Sequence, residues 1–358
     1  MNEFITSASA RMPVPGAPEA PPVPLGARPA RHLAGIDALR AVAALSVCLF
    51  HFSSGTLPGL EVPAVRAAFA PGHLGVEMFF VISGFIIPYS LVVSRYRLAD
   101  FPRYWLRRVV RIVPPAYCLL LLVVGQWVFL AHGFHNATYS RLLAELSWSQ
   151  ILHNVLFTVS LTPSSWMSGI LWTLAVELQF YLFVGLLFRG LFVRQPWWFV
   201  LGFVAAGRLQ YQPVFDHLYF FHYSSLFALG GVALLWQQRR LPAWAAVASA
   251  VLFGALAFRQ LGLYAALVGV GTAGAITVLQ VRVPGLSYLG RFSYSLYLVH
   301  TLVGTTAALA LEQLFPPDSA AGKLGLAAVC LAVAVAGTAV FYRLVEAPFV
   351  RLARRIGR

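Results

Sequence analysis

The sequence predicts an all-α integral membrane protein that crosses the bilayer about ten times. Of its 358 residues, 59% are hydrophobic and only 11% are charged, and the mean hydropathy is +0.75. A soluble domain usually has about a quarter of its residues charged, so most of this chain must have lipid as its solvent. Apolar runs of about twenty residues, enough to cross roughly 30 Å of hydrocarbon, recur along the chain.

The two ends of the chain differ from its apolar middle. The first 31 residues contain seven prolines and no apolar stretch, so this segment cannot bury enough surface to fold. We expect a disordered cytoplasmic tail at 1–31, a transmembrane domain at 32–348 and a basic cytoplasmic tail at 349–358. The first segment lacks the apolar core of a signal peptide, so we expect no cleavage there.

Within the middle, hydropathy predicts ten spans, with nine as the alternative because the fifth is short. The spans are 34–53, 73–94, 108–131, 169–188, 195–209, 217–236, 242–258, 261–280, 290–311 and 322–345. The polar and aromatic stretch 132–168 predicts a long external loop with short helices.

The net charge of +14 reflects topology, because the arginines lie in short connections between apolar runs and Lys323 is the only lysine. This distribution argues against nucleic-acid binding. If the N-terminus is cytoplasmic, 21 of the 26 basic residues fall on the cytoplasmic side, as the positive-inside rule requires. We therefore predict both termini inside, an even number of spans, and residence in the cytoplasmic (inner) membrane of a bacterium.

Ionisable groups at membrane depth are costly and usually mark function. Arg40 and His51 lie eleven residues apart, or about three helical turns, so they share one helix face. A guanidinium suits phosphate recognition and an imidazole suits general-base chemistry. An ordinary helix with a snorkelling arginine is the structural alternative. The remaining intramembrane candidates are Asp37, Glu77, Glu177, His300 and Glu346.

A second basic feature is the segment RYWLRRVVR at 103–111. Arg108 and Arg111 are i,i+3 neighbours on one face. The cluster either marks the cytoplasmic boundary or forms a pocket for a phosphate-bearing ligand. The three cysteines lie in apolar runs, so we expect neither a disulfide nor a metal site.

Six ordered blocks across residues 35–349 resemble the acyltransferase-3 family of membrane acyltransferases. In the first block a basic residue precedes a histidine by eleven positions, as Arg40 precedes His51. The other blocks are GHLGVEMFFVISGFII at 72–87, the Arg-x-x-Arg pair, LWTLAVELQFYL at 171–182, LGRFSYSLYLVH at 289–300 and VEAPF at 345–349. The chain departs from the family pattern at Leu178, Ala347 and the Thr301–Leu302 pair.

The resemblance implies transfer of an acyl group, most often acetyl, from acyl-CoA to a carbohydrate or glycolipid hydroxyl, with no permanently bound cofactor. Arg40, Arg108 and Arg111 would hold the donor phosphates. His51 would deprotonate the acceptor or carry the acyl group, and Glu177, ahead of Glu77 and Asp37, would orient it. Ser83 and Gly84 are expected to serve helix packing. Trp172, His300 and Glu346 are further site candidates.

Alternatives remain open for both acceptor and class. The acceptor could be a small molecule such as a macrolide, and intramembrane acids and histidines also occur in proton-coupled transporters. Some members of the family carry an additional esterase-like domain that completes the transfer. We expect no such domain after the last predicted span here, and therefore expect either direct transfer by the membrane core or help from a separate partner. We further predict that Trp148 or Trp166 stacks on an acceptor sugar in a site formed by 132–168 and 54–72.

Overall fold

A computed structural model describes residues 29–53, 62–213, 215, 219–279 and 283–356, and these residues form helices without any strand. The predicted tail at 1–31 lies almost wholly outside the described residues, as does part of 54–72. The helices are α1 Pro29–Ser53, α2 Pro63–Phe69, α3 Gly75–Val93, α4 Phe101–Gly133, α5 Ala137–Ala144, α6 Trp148–Val155, α7 Leu171–Phe188, α8 Pro196–Leu209, α9 Tyr219–Gln237, α10 Ala243–Leu261, α11 Leu263–Val278, α12 Pro284–Arg291, α13 Ser293–Leu314, α14 Ala320–Phe341 and α15 Ala347–Arg355.

Each of the ten predicted spans corresponds to one helix of 14 residues or more, which confirms the all-α polytopic fold. Across the described ranges, eight helices are long and apolar enough to cross a membrane. The two that fall short are α8, with 14 residues, and α11, with 16 residues. At about 1.5 Å per residue they span roughly 21 and 24 Å, less than the roughly 30 Å of hydrocarbon.

The direction of α8 is set by its contacts with α9. Gly207 near the end of α8 lies against the Ser224 side chain near the start of α9, and Phe199 near the start of α8 packs on Gly231. The two helices are therefore antiparallel. The short α8 takes the direction expected of the fifth of ten alternating spans.

The direction of α11 follows from two further contacts with α9. Gly269 lies against Leu226 and Leu229, and the Gln237 side-chain amide donates to the Ile276 carbonyl at 3.1 Å. Contacts advance along both helices together, so α11 and α9 are parallel, as the eighth and sixth spans must be. The alternation agrees with ten alternating helices that place the start of α1 and the end of α14 on one face, while the cytoplasmic location of that face remains a prediction from charge.

The predicted 132–168 loop does carry two short helices, α5 and α6. Asn136 caps α5 by accepting from the backbone N–H of Thr138, and Ser147 caps α6 by accepting from Gln150. Such side-chain caps satisfy amide groups that would otherwise lack partners at a helix start. The loop therefore has a defined structure over the end of the bundle where α4 ends and α7 begins.

The tightest helix crossing is between α3 and α9 and uses two glycines. A methyl group on Gly84 would lie 2.1 Å from the carbonyl oxygen of Phe227, and one on Gly230 would lie 2.0 Å from that of Val81. Backbones approach this closely only where small residues allow it. The predicted packing role of Gly84 is confirmed, whereas Ser83 points to a hydrogen bond described below.

We expect Gly84→Ala to destabilise the protein, because the added methyl group meets backbone atoms that have no rotamer with which to move away. Overpacking of this kind costs about 1–3 kcal/mol. Thermal unfolding of the purified protein in detergent should show a clear fall in Tm. Gly271→Ala on α11 is the matched control, since nothing lies within 4 Å of its added methyl group, and the gain in helix propensity should leave its Tm unchanged or raised. Equal Tm values for the two variants would contradict the close-approach account.

Candidate active site

The candidate site is built on the side-by-side pairing of α1 and α13. At one end, Arg40 Nε donates to Ser293 Oγ at 3.1 Å. Toward the other end, the rings of His51 and His300 have centroids 5.2 Å apart. The two helices run in the same direction, so one interface carries the guanidinium and both imidazoles. We call the end near Arg40 the arginine face and the end near His51 and the 134–170 connection the loop face.

The arginine face gathers charges from four parts of the chain. Arg40 interacts electrostatically with Arg111, Glu177, Asp37 and Glu346. Two guanidinium groups thus share three carboxylates. Mutual compensation reduces the cost of holding these charges at membrane depth. The structure therefore places the predicted phosphate ligands Arg40 and Arg111 in one cluster.

Arg108, the third predicted phosphate ligand, is held by the helices on either side of it. Its Nη2 donates to Ser90 Oγ on α3 at 2.8 Å. Its guanidinium carbon also lies 5.6 Å from the ring centroid of Tyr104 and 5.4 Å from that of Tyr181, within the range of cation–π attraction. The planar group is thereby oriented before any ligand binds.

Glu177, the predicted partner of His51, has identified contacts on α3 and α7. Its Oε1 accepts from Ser83 Oγ at 3.3 Å and from the Tyr181 hydroxyl. It also lines a central cavity of about 70 Å³, together with Arg40, Ser83, Thr173, Ser293, Tyr297 and their neighbours. Its role toward His51 remains a prediction.

Glu346 connects the closing block of the sequence to α13. This side chain is 2% exposed, and its Oε2 accepts from the backbone N–H of Ser295 at 3.1 Å and from Ser295 Oγ at 2.5 Å. Both donors lie in the first turn of α13, where a negative charge is favoured by the free N–H groups. Glu346 thus anchors α13 beside Arg40.

His300 is completely buried, and its hydrogen bonds define its proton position. Its Nδ1 lies 3.1 Å from the Leu296 carbonyl and 2.8 Å from the Tyr297 carbonyl. Both partners are acceptors only, so Nδ1 must carry the proton and Nε2 presents a lone pair. Nε2 has no hydrogen-bond partner, which is a feature expected of a catalytic or ligand-binding atom.

Glu77 supplies the second buried side-chain atom without a hydrogen-bond partner in the described part of the chain, its Oε2. This carboxyl group lies within electrostatic range of the hydroxyls of Tyr223 and Tyr297. Trp172 is nearby and packs on Tyr223 with ring centroids 5.4 Å apart. Glu77 and Trp172 therefore line the same aromatic interior as Tyr297, whose ring lies 5.9 Å from that of His300.

A second, larger cavity of about 290 Å³ lies toward the loop face. It is lined by α4, α5, α6, α13 and the segment before α7. Trp166 forms part of its wall, whereas Trp148 is 86% exposed. Of the two tryptophans predicted to stack on a sugar, Trp166 therefore lines this cavity and Trp148 does not. We call this space the loop cavity.

Sequence reasoning missed the polar groups of α13 that connect these features. Ser293 and Tyr297 line the central cavity, and Ser295 binds Glu346. Ser293, Tyr297 and His300 follow an i, i+4, i+7 spacing, which places them on one helix face. That spacing in SYSLYLVH was the signal available in the sequence.

The fold and this site together define an integral membrane protein whose interior holds an arginine cluster at one end and a pair of histidines toward the other. A family model described as an acyltransferase domain, the acyltransferase-3 model, matches residues 33–343. The chain therefore belongs to this family of acyltransferases. Family membership decides against the transporter alternative.

Several bacterial proteins are similar to part of the chain. A Bacillus subtilis protein named "putative peptidoglycan O-acetyltransferase" is 32% identical over 160 residues, covering 42% of this chain and 23% of that protein. The peptidoglycan O-acetyltransferase of Listeria monocytogenes is 30% identical over 162 residues, with 42% and 23% covered. A "putative O-acetyltransferase" of Staphylococcus aureus is 28% identical over 195 residues, with 49% and 28% covered.

The matched segment spans only about a quarter of the length of each of these relatives. No solved structure matches the chain at a significant level. The comparisons therefore establish the family, and the reaction, its donor and its acceptor are argued below from the site.

Glu346→Ala should lower the free energy of unfolding, because it leaves two donors of Ser295 without their acceptor. A hydrogen bond to a charged group contributes about 1.5–3 kcal/mol to the free energy of unfolding, so Tm should fall clearly. Glu346→Gln keeps an acceptor oxygen and should lose less. Glu145→Ala is the control, because its ion pair with Arg141 is exposed and 4.0 Å long and contributes at most about 1 kcal/mol. A loss in Glu346→Ala no larger than in the control would show that Glu346 does not anchor α13.

Proposed function

We propose that this enzyme transfers an acetyl group from acetyl-CoA, bound at the arginine face, to a hydroxyl of a carbohydrate acceptor at the loop face. The arginine face would lie in the cytoplasm and the loop face outside the inner membrane, as the charge distribution predicts. The names of the relatives, peptidoglycan O-acetyltransferases among them, support an acetyl donor and a glycan acceptor.

The observation that carries this proposal is the order of groups along α13. Ser293 and Tyr297 line the central cavity, and Thr301 and Thr305 line the loop cavity. His300 lies in the single turn between Tyr297 and Thr301, a rise of about 6 Å. A donor arriving from one face and an acceptor arriving from the other would therefore meet at His51 and His300.

In the direct route, the acceptor hydroxyl oxygen attacks the thioester carbonyl carbon. A C–O bond forms, the C–S bond breaks, and the hydroxyl proton passes to His51 and then to the departing thiolate of CoA. In the covalent route, His51 first takes the acetyl group and releases CoA, and the acceptor then attacks acetyl-His51.

The arginine cluster suits the phosphates of CoA. Guanidinium groups bind phosphate oxygens through paired, charge-assisted hydrogen bonds. The central cavity, about 70 Å³, is well below the roughly 300–1,000 Å³ typical of pockets for small molecules. Entry of the pantetheine arm would therefore require the helices around Arg40 and Glu177 to move apart.

His51→Ala should reduce acetyl transfer by about 10²–10⁴-fold, the usual contribution of a general base. The assay follows label from radioactive acetyl-CoA into soluble peptidoglycan fragments with the full chain in proteoliposomes. His132→Ala, at an exposed position at the end of α4, should keep wild-type activity. A His51→Ala enzyme with unchanged kcat would refute the proposed role of this histidine. A burst of CoA release without acceptor would identify the covalent route.

Arg111→Gln should raise the KM for acetyl-CoA but leave the KM for acetyl-pantetheine, which lacks the nucleotide phosphates, unchanged. Loss of one charge-assisted hydrogen bond corresponds to about tenfold in KM. Arg103→Gln, on an exposed position of the same helix, is the matched control for general loss of positive charge. Equal changes with both donors would show that Arg111 acts on something other than phosphate.

A further inference from the structure

The loop cavity has the dimensions of a site for one small ligand. Its volume of about 290 Å³ lies at the lower end of the roughly 300–1,000 Å³ typical of small-molecule pockets. It opens beside the 134–170 connection and reaches inward to Thr301, the residue after His300. A ligand held there would have one end at the turn of α13 that carries His300.

The wall of the cavity combines aromatic faces with neutral hydrogen-bonding groups. Trp127, Trp166 and Tyr139 supply the rings, and Gln150, Ser165 and Thr305 are among the polar residues. A pyranose ring needs this combination, because its C–H faces are apolar while its edge carries hydroxyl groups. Aromatic rings with a polar tip serve such amphipathic surfaces well.

The described residues that line the cavity include no Asp, Glu, Lys, Arg or His. Tyr139, in the connection outside the spans, is the single lining group with a shifted pKa: burial raises the pKa of its hydroxyl. This hydroxyl therefore remains protonated and uncharged at physiological pH. A neutral wall at the edge of a membrane penalises anionic and cationic ligands, since neither would find a counter-charge.

The outer wall of the cavity is held in place by a fully buried amide, Asn154. Its Nδ2 donates to the carbonyls of Gln150 at 2.9 Å and Ser165 at 3.0 Å, and its Oδ1 accepts from the backbone N–H of Met167 at 2.9 Å. Gln150 also donates to Ser165 Oγ at 2.8 Å. These bonds tie α6 to the segment that carries Trp166, so the aromatic wall is formed before a ligand binds.

The opposite wall is fixed in the same way. Gln126 on α4 donates through Nε2 to the Leu302 carbonyl and to Thr306 Oγ1 on α13, both at 2.8 Å. The face of α13 that carries Thr301 and Thr305 is therefore locked to α4. Preorganisation of both walls reduces the entropy lost when a ligand is bound.

We infer that the loop cavity is a binding site for a single uncharged pyranose unit of the acceptor, stacked on Trp166 and oriented with one hydroxyl toward His51 and His300. This inference rests on the proposed function for its orientation and deepens it by naming the acceptor class and subsite. It selects neutral over charged sugars, and it assigns sugar stacking to Trp166 rather than to the exposed Trp148.

The test measures binding of chitotriose, a neutral N-acetylglucosamine trimer, and of N-acetylneuraminic acid, an anionic sugar, to the full chain in nanodiscs without donor. Trp166→Ala should raise the Kd for chitotriose about tenfold, as expected for loss of an aromatic contact. Trp148→Ala, on the same connection but exposed, should leave it unchanged. Trp166→Phe, which retains a ring, should restore most of the affinity and shows that the site still folds.

Three results would overturn the inference: no binding of chitotriose to the wild-type chain, equal Kd values in the two alanine variants, or equally tight binding of N-acetylneuraminic acid. The acetyl-transfer assay distinguishes this failure from failure of the proposed function. Transfer that depends on His51 but has the same acceptor KM in Trp166→Ala would retain the function and exclude the cavity. Sugar binding that depends on Trp166 without any transfer from acetyl-CoA would retain the cavity and exclude the function.

Discussion

The parallel contact between α1 and α13 is the interaction on which the site depends. A guanidinium or an imidazole within a membrane is stable only where neighbouring helices supply its partners. Ser293 accepts from Arg40, and the rings of His51 and His300 lie side by side at the other end of the same interface. Glu346 then fixes the first turn of α13 by accepting from Ser295. Charge compensation, the candidate catalytic histidines and the placement of α13 thus depend on one helix interface, the seam between α1 and α13.

The remainder of the bundle supports that seam through close backbone packing and tied connections. The contact of α3 with α9 at Gly84 and Gly230 leaves no space for a side chain, and the next residue to Gly84, Ser83, donates to Glu177. At the loop face, Asn154 holds α6 against the segment before α7 by donating to the carbonyls of Gln150 and Ser165.

Much of this arrangement followed from hydropathy and residue type. Apolar runs located all ten helices because lipid demands that each crossing satisfy its own backbone hydrogen bonds. The rarity of ionisable groups in such runs singled out Arg40, His51, Glu77 and His300, and the ordered blocks indicated the family that the comparison with known proteins then established. The serines and tyrosines of α13 escaped notice because neutral hydroxyl groups cost little in a helix and so give a weak signal in a sequence.

The sequence by itself determined the solvent of the chain, the positions of its long helices, the chemistry of its polar groups and the family of acyltransferases to which it belongs. Only the tertiary structure decided which groups meet: Glu177 with Tyr181, Glu346 with Ser295, His51 with His300, and Trp166 with the loop cavity in place of Trp148. The reason is physical. Burial and helicity depend on local composition, whereas pairing depends on how helices distant in the chain cross, and that is determined by packing across the whole bundle.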